Sequence, residues 1–321
     1  KPGSLSSLCL RFPSLFALYL FISLSKNIFS MVSALPHPVK HLFSHLHTRM
    51  TQGFHTFLLD PSTGMLFLGA RDAILAVDAN ELGQAPQKIV WDVPEEKRRS
   101  CVAKGKTEVR AVSEEGGVKM ETGKGKCPFE PSQHYTAVMA GGTLYTAATS
   151  NFLGTLFDIS RATGPEQERI RTERSINWLN PEFVSSAFIE ESQESNPTGD
   201  DDKIYFFFTE VAKEYDLYTK VKVPRVARVC KSDVGGMKTL QRRWTTFLKA
   251  ELVCEDKPSG QRYNILTDVF TTQHTPGDPG STHFYGLFTS QWYAKETKAI
   301  LTARFPTPDA TLFPQKSHGC G

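Results

Sequence analysis

From Phe54 onward the chain is a succession of short apolar runs broken by turn residues, and this rhythm limits the possible folds more than any single motif. Residues 57–59 lead into Asp60-Pro61-Ser62-Thr63-Gly64, a turn in which proline presets φ and glycine can take φ > 0. Met65–Ala70 and Ala73–Asp78 follow as strands. The pattern returns at 135–140 and 143–147, joined by Gly141-Gly142, a pair suited to a tight hairpin. It returns again at 203–209, 225–230, 245–254, 264–270 and 283–289. Helical periodicity is weak, with 210–218 the best short candidate. Strands recurring in sets of three or four predict an all-β fold with radially arranged sheets, a β-propeller. A sandwich would show more evenly spaced strands.

Composition narrows the function. The 321 residues can bury a sizeable core, and 40% hydrophobic against 22% charged content describes a globular chain. Thirty-seven Lys and Arg against 34 Asp and Glu leave only +3, without the clear basic excess of a nucleic-acid binder. Six cysteines stand at 9, 101, 127, 230, 254 and 320, none in C-x-x-C spacing, which removes the usual zinc and thioredoxin-like readings. An even count admits disulfides, but six cysteines allow fifteen pairings, and scattered reduced thiols remain an alternative. No Asn-x-Ser/Thr acceptor decides between them, because Asn196-Pro197-Thr198 carries the forbidden proline.

Residues 1–53 read as an appendage. The apolar run 15–24, between Arg11 and Lys26, is short for a membrane span and suited to a signal-peptide core. Translated non-coding sequence at the edge of a fragment is the competing explanation, since the chain starts on Lys1. His37, His41 and His45 have helical spacing, but Pro36 and Pro38 break the helix start and no acid or thiol joins them, so no metal site is expected.

Several clusters invite chemistry. The basic turn Lys97-Arg98-Arg99-Ser100-Cys101, with Lys104 and Lys106, puts five cations in ten residues, an electrostatic anchor for an acidic partner or else a solvated face. Glu190, Glu191, Glu194 and Asp200-Asp201-Asp202 lack the alternation of a calcium loop and read as a flexible, solvated segment. Gly116-Gly117 and Gly235-Gly236 are turns, not phosphate loops. Trp178, Trp244 and Trp292 could anchor an interface, although packing between sheets suits them better. There is no Gly-x-Ser-x-Gly elbow. His134 beside Ser132 is only local proximity, and Asp200 and Glu210 cannot be set at glycosidase distance from sequence. The chain is therefore read as a non-enzyme, without cofactor, metal or small-molecule substrate.

Certain stretches are more specific. The run from Phe57-Leu58-Leu59-Asp60-Pro61 through Leu66-Phe67-Leu68-Gly69-Ala70-Arg71-Asp72 to Asp78 resembles the opening blade of a sema domain. So do Gly125-Lys126-Cys127-Pro128-Phe129-Glu130-Pro131 and Asn151-Phe152-Leu153-Gly154. Most specific is the block from Ile204-Tyr205-Phe206-Phe207-Phe208-Thr209-Glu210 through Val223-Pro224-Arg225-Val226-Ala227-Arg228-Val229-Cys230 to Trp244-Thr245-Thr246-Phe247-Leu248. Together they are similar to the semaphorins, above all the membrane-anchored class 4 group, over about residues 54–300.

The resemblance implies a seven-bladed propeller, of which this chain carries about the first three to four blades, followed by an unrelated-looking tail at 301–321. It implies a secreted or cell-surface ligand that binds plexin receptors in cell–cell signalling and guidance, homodimeric when intact. It also implies disulfide-type roles for Cys101, Cys127, Cys230 and Cys254, and plexin contacts at Lys104, Gly105 and Lys106. The departures matter equally. Val109 runs almost directly into the 119–125 segment where the family supplies further strands and a partner for Cys101, and Thr302 stands roughly where a cysteine is expected. Part of the first two blades is therefore expected to be missing. Lost blade partners would expose apolar faces, predicting marginal stability and self-association. A non-functional truncated product and a propeller hydrolase are the rival readings; the hydrolase has no motif behind it.

Overall fold

From Phe54 onward the apolar runs form antiparallel meanders, in which strands that follow one another within a sheet pair with each other. The computed structural model describes residues 9–10, 298–304 and two long stretches. The first is 54–103 apart from 61–62, 71–72, 79–80, 82–86 and 91–94. The second is 125–292 apart from 131, 164–168, 173–179, 192–195, 214–217, 219, 257–258 and 276–277. The apolar run 15–24, the three N-terminal histidines, Gly116-Gly117, Trp178 and the Val109 junction lie outside the described residues. The chain divides into two compact units, residues 13–121 and residues 1–12 with 122–321.

In the first unit β2 (Phe54–Asp60), β3 (Met65–Ala70), β4 (Ala73–Asp78) and β5 (Gln87–Val90) form one sheet in sequence order. The β2–β3 turn places Gly64 at φ 71°, the left-handed conformation its sequence anticipates. Leu66 and Leu68 are buried while Phe67 between them is 37% exposed, the period-2 alternation of a strand with one covered face. The expected basic turn at 97–101 is instead part of a helix, α1 (Glu95–Ala103). Glu95 and Glu96 occupy its first turn, where acidic groups complement the helix dipole, and Arg99 Nε reaches Glu95 Oε1 at 3.2 Å across one turn.

The second unit stacks three sheets. The first holds β6 (Thr136–Ala140), β7 (Thr143–Thr149) and β8 (Phe157–Arg161). The central sheet holds β9 (Pro181–Ile189), β10 (Lys203–Val211), β11 (Lys222–Cys230) and β12 (Leu248–Glu251). The third holds β15 (Ile265–Gln273), β16 (Thr282–Thr289) and β17 (Lys298–Arg304), with β1 (Cys9–Leu10) on the edge of β17. Between them lies a hairpin of β13 (Cys254–Asp256) and β14 (Gln261–Tyr263). Gly141 and Gly142 both take positive φ, 55° and 75°, closing the expected hairpin.

Two expectations fail for local reasons. The run 245–254 is not one strand: Leu248–Glu251 pairs with β11, whereas Cys254 begins a different sheet. The stretch 210–218 does not start a helix. Glu210 and Val211 complete β10, and the Ala212 amide donates to the Val221 carbonyl to close the hairpin with β11.

Packing explains why β10 reads Ile-Tyr-Phe-Phe-Phe. Ile204, Phe206 and Phe208 face the first sheet, packing with Tyr145, Ala147, Ile159, Phe183 and Trp244. Tyr205 and Phe207 face the third, packing with Leu266, Val269, Phe284 and Phe288. A strand covered on both faces has no solvent side for polar residues, so alternation disappears from the sequence. Polar contacts pin the sheets to one another. The Thr136 and Ser186 hydroxyls lie 2.8 Å apart, the Leu266 amide donates to Thr209 Oγ1 at 3.0 Å, and Trp244 Nε1 donates to the Ile159 carbonyl at 2.8 Å. Arg171 bridges antiparallel to Ser160 and parallel to Arg243, tying the first sheet to the β11–β12 connection. The architecture is all-β, with stacked meanders as the blades of a partial β-propeller.

Candidate functional site

The residues proposed from sequence to meet a receptor, Lys104, Gly105 and Lys106, lie outside the described residues. Cys101 lies on α1, with its side chain likewise outside. Cys127 is exposed, while Cys230 and Cys254 are disulfide-bonded.

The acidic stretch behaves differently from the expected solvated loop. Asp200 is exposed and accepts from Thr198 Oγ1, but Asp202 is buried. Its carboxylate receives the Glu191 amide and Asn196 Nδ2, each at 3.1 Å, and pairs with Lys231 Nζ at 2.7 Å. Three donors around one buried carboxylate make it a structural anchor for the entry to β10. Among the described residues no group of three His, Cys, Asp or Glu side chains could hold a metal ion. Trp244 is buried and stacked on Tyr145 at 6.4 Å, the packing role expected; Trp292 is 55% exposed. Gly235 takes φ 81°, and a Cβ on Gly236 would overlap the Thr239 carbonyl, so this pair serves a tight turn.

The densest chemistry lies where β7, β9, β10 and β11 end together. Glu210 follows the apolar run of β10 and is buried. Its Oε1 receives Arg225 Nε at 2.9 Å and the Lys249 ammonium. Arg225 Nη1 also lies 3.9 Å from Glu251, and burial pulls the Lys249 ammonium below its usual range against the opposing pull of Glu210. Next to this cluster Lys222 pairs with Glu182. A cavity of about 250 Å³ opens here, lined by Gln133, His134, Thr149, Phe157, Glu182, Glu210 and Lys222 among others. Asp200 precedes β10 whereas Glu210 stands at its far end, so the structure does not bring these acids together. The cluster was missed from sequence, yet a signal was present: ionisable residues inside otherwise apolar strand runs, Glu210 after Phe208-Thr209 and Arg225 and Arg228 between valines.

No protein-family model matches the chain. It is similar to mouse Semaphorin-4F, 40% identical over 306 residues, covering 84% of this chain and 39% of that protein. It is similar also to mouse Semaphorin-4D, 39% identical and covering 81% of this chain and 33% of that one. The chain thus spans about two fifths or less of the length of the curated relatives it matches. Among solved structures, Drosophila Semaphorin 1a extracellular domains 1–2 align at TM-score 0.62 and 25% identity, covering 79% of this chain and 53% of that one. The complex of Drosophila Plexin A with Semaphorin 1b aligns at TM-score 0.59 and 24% identity, again over 79% of this chain and 53% of that chain.

Proposed function

The chain belongs to the semaphorin family over the span it shares with these relatives, and on that premise we propose that it is part of an extracellular ligand for plexin receptors in cell–cell signalling and guidance. The observation that carries this reading is the 40% identity to a class 4 semaphorin across most of the chain. The fold likeness to a semaphorin–plexin complex supports the partner. Disulfide bonding at Cys230 and Cys254 fits a secreted or cell-surface setting.

In this reading the protein works by surface complementarity, without bond making. Loops projecting from a rigid stack of sheets present charge and apolar groups in fixed geometry, so little ordering entropy is lost on binding. Lys104, Gly105 and Lys106, following the cationic helix α1, are proposed contacts for an acidic receptor face, and the intact protein is proposed to act as a homodimer. A rim of positive charge chiefly raises the association rate and makes it sensitive to salt.

The test is saturable binding of the tagged chain to cells that express a plexin, against the same cells without one. Reversing Lys104 and Lys106 to glutamate should slow association and flatten its salt dependence. Equal binding to both cell types, across several plexins, would overturn the receptor assignment.

A further inference from the structure

The connection between β11 and β12 presents a surface that packing does not account for. Val234 is 80% exposed, Met237 91% and Leu240 43%, three large apolar side chains on one loop. Single apolar side chains are ordinary on a surface, whereas a group of them on one loop marks a place of contact. Residues 234–243 also carry Lys238, Arg242 and Arg243 and no acid. The nearest acid in sequence, Asp233, is buried, and its carboxylate accepts from the Gly235 amide and from the amides and hydroxyls of Thr245 and Thr246. The exposed loop is therefore apolar and cationic, with no carboxylate of its own to answer the cations.

The loop is held in one shape. Leu240 and Arg242 both take φ 55°, a left-handed backbone that costs a residue with a Cβ energy unless its surroundings enforce it. Here they do. The Leu240 carbonyl accepts from the Gly236 amide at 3.0 Å and from the Arg243 amide at 2.8 Å. Gln241 Nε2 donates to the Met237 carbonyl at 2.9 Å, and the Arg171 amide donates to the Arg242 carbonyl at 3.2 Å. Buried Asp233 and buried Trp244 bracket the two ends. A connection that only joined two strands would have no use for strained residues at the positions that aim Leu240 and Arg242. A surface loop already fixed in this way loses little freedom on binding.

These features discriminate among partners. A sulfated glycan would engage the cations and leave Val234 and Met237 without a role. An anionic bilayer takes up apolar tips and cations on any backbone, so it gives no reason for the enforced geometry. An acidic protein surface uses all three, because carboxylates answer the cations, an apolar pocket covers the tips, and a fixed loop sets the spacing between them.

We propose that the 234–243 loop is a docking surface for an acidic protein segment, with Met237 as the apolar anchor and Lys238 and Arg242 paired to carboxylates beside its pocket. The inference does not rest on the plexin reading, whose proposed contacts are other residues.

The test is selection of a display library of random linear peptides on the full chain, followed by fluorescence anisotropy with the selected peptides. The enriched peptides should carry Asp and Glu around a large apolar residue. Lys238→Glu combined with Arg242→Glu should weaken their binding about tenfold or more, since like charges then face one another. Should that double variant not fold, Met237→Asp, a change at a side chain almost wholly in solvent, should weaken the same peptides about fivefold or more through loss of the anchor. Lys104→Glu combined with Lys106→Glu should leave peptide binding unchanged, which keeps this result separate from the outcome on plexin-bearing cells. Heparin and vesicles containing phosphatidylserine serve as the competing probes. Loop-dependent binding to either of these without loop-dependent peptide binding would overturn the proposal. A selection without acidic enrichment would do the same, as would peptides indifferent to the loop variants.

Discussion

The central sheet and the third sheet are the same device, an antiparallel meander of long strands, yet they treat their aromatic residues in opposite ways. On β10 every aromatic side chain is buried, because sheets pack on both faces. On β15 and β16 one face packs inward through Leu266, Val269, Phe284 and Phe288, while the other carries Phe270, 44% exposed, beside Tyr285 at 6.4 Å. The difference shows that apolar content alone does not define a core in this architecture. The number of faces a sheet has covered decides whether a phenylalanine stabilises the fold or marks a surface.

The sharpest way to break that contrast is to truncate matching residues on the two sheets. Phe206→Ala should cost about 3–5 kcal/mol, since it removes a ring from a close-packed interface and leaves a cavity. In a chain with net stability of about 5–15 kcal/mol, such a loss is a large fraction of the whole. Urea unfolding followed by tryptophan fluorescence reads this through Trp244, which sits in the same cluster. A cost no greater than that of an exposed site would mean the first and central sheets do not pack as described.

A second break is electrostatic. Glu210→Ala leaves Arg225 and Lys249 without their shared buried acceptor and should cost about 3–5 kcal/mol, the usual penalty for breaking a buried ion pair on one side only. Replacing Glu210 and Lys249 together by leucine should cost less than Glu210→Ala alone, because fewer buried charges are stranded. The double-mutant comparison by thermal melt decides whether the cluster stabilises this end of the sheet or only tolerates burial.

How much of this was legible in the sequence follows from the same physics. Strands with a strong local signature were readable nearly to the residue: Met65–Ala70, Ala73–Asp78 and the Gly141-Gly142 hairpin depend on alternation and turn chemistry within a few neighbours. β9 was missed because its start on Pro181 and its polar Ser185-Ser186 pair give no pattern; it is held by pairing with β10 and by the Thr136–Ser186 hydroxyl contact, which are long-range. Helix α1 was read as a turn because its charges outweigh any apolar stripe. The candidate site was the least legible part. Glu210, Arg225 and Lys249 come from three strands, and Lys222 and Glu182 meet across 40 residues of chain, so only the folded register brings them together. The family resemblance told what kind of molecule this is, but not where its buried charges converge.

Acid sensitivity gives a smaller effect that sharpens the picture of the β11–β12 connection. Burial alone would raise the Asp233 carboxyl, but the Thr246 hydroxyl and the amides of Gly235, Thr246 and Thr245 hold it below the usual carboxylate range. A depressed folded value means the stabilisation is fully present above the unfolded carboxyl near pH ~4 and is lost as pH falls through the folded value beneath it. Urea midpoints should therefore drop between neutral pH and about pH 3, and Asp233→Asn should remove part of that acid-dependent loss. At neutral pH the same variant should cost about 1–3 kcal/mol through weakened capping. An unchanged pH profile would mean that Asp233 is not the acid-labile latch of this loop.

The smallest expected change in stability lies on the outward face of the third sheet and tests the comparison from its other side. Phe270→Thr removes an aromatic that is 44% exposed, keeps a β-branched residue suited to a strand, and should alter unfolding free energy by no more than about 0.5 kcal/mol. Its effect on association should be larger than its effect on folding. An exposed aromatic pair on a sheet face contributes to non-specific contacts between chains, and replacing one member with a hydroxyl removes apolar area without disturbing the packed side. Sedimentation of the variant should show less concentration-dependent association than the parent, with an unchanged urea midpoint. A loss of several kcal/mol would instead show that Phe270 is a core residue, so that the third sheet, like the central one, has both faces covered.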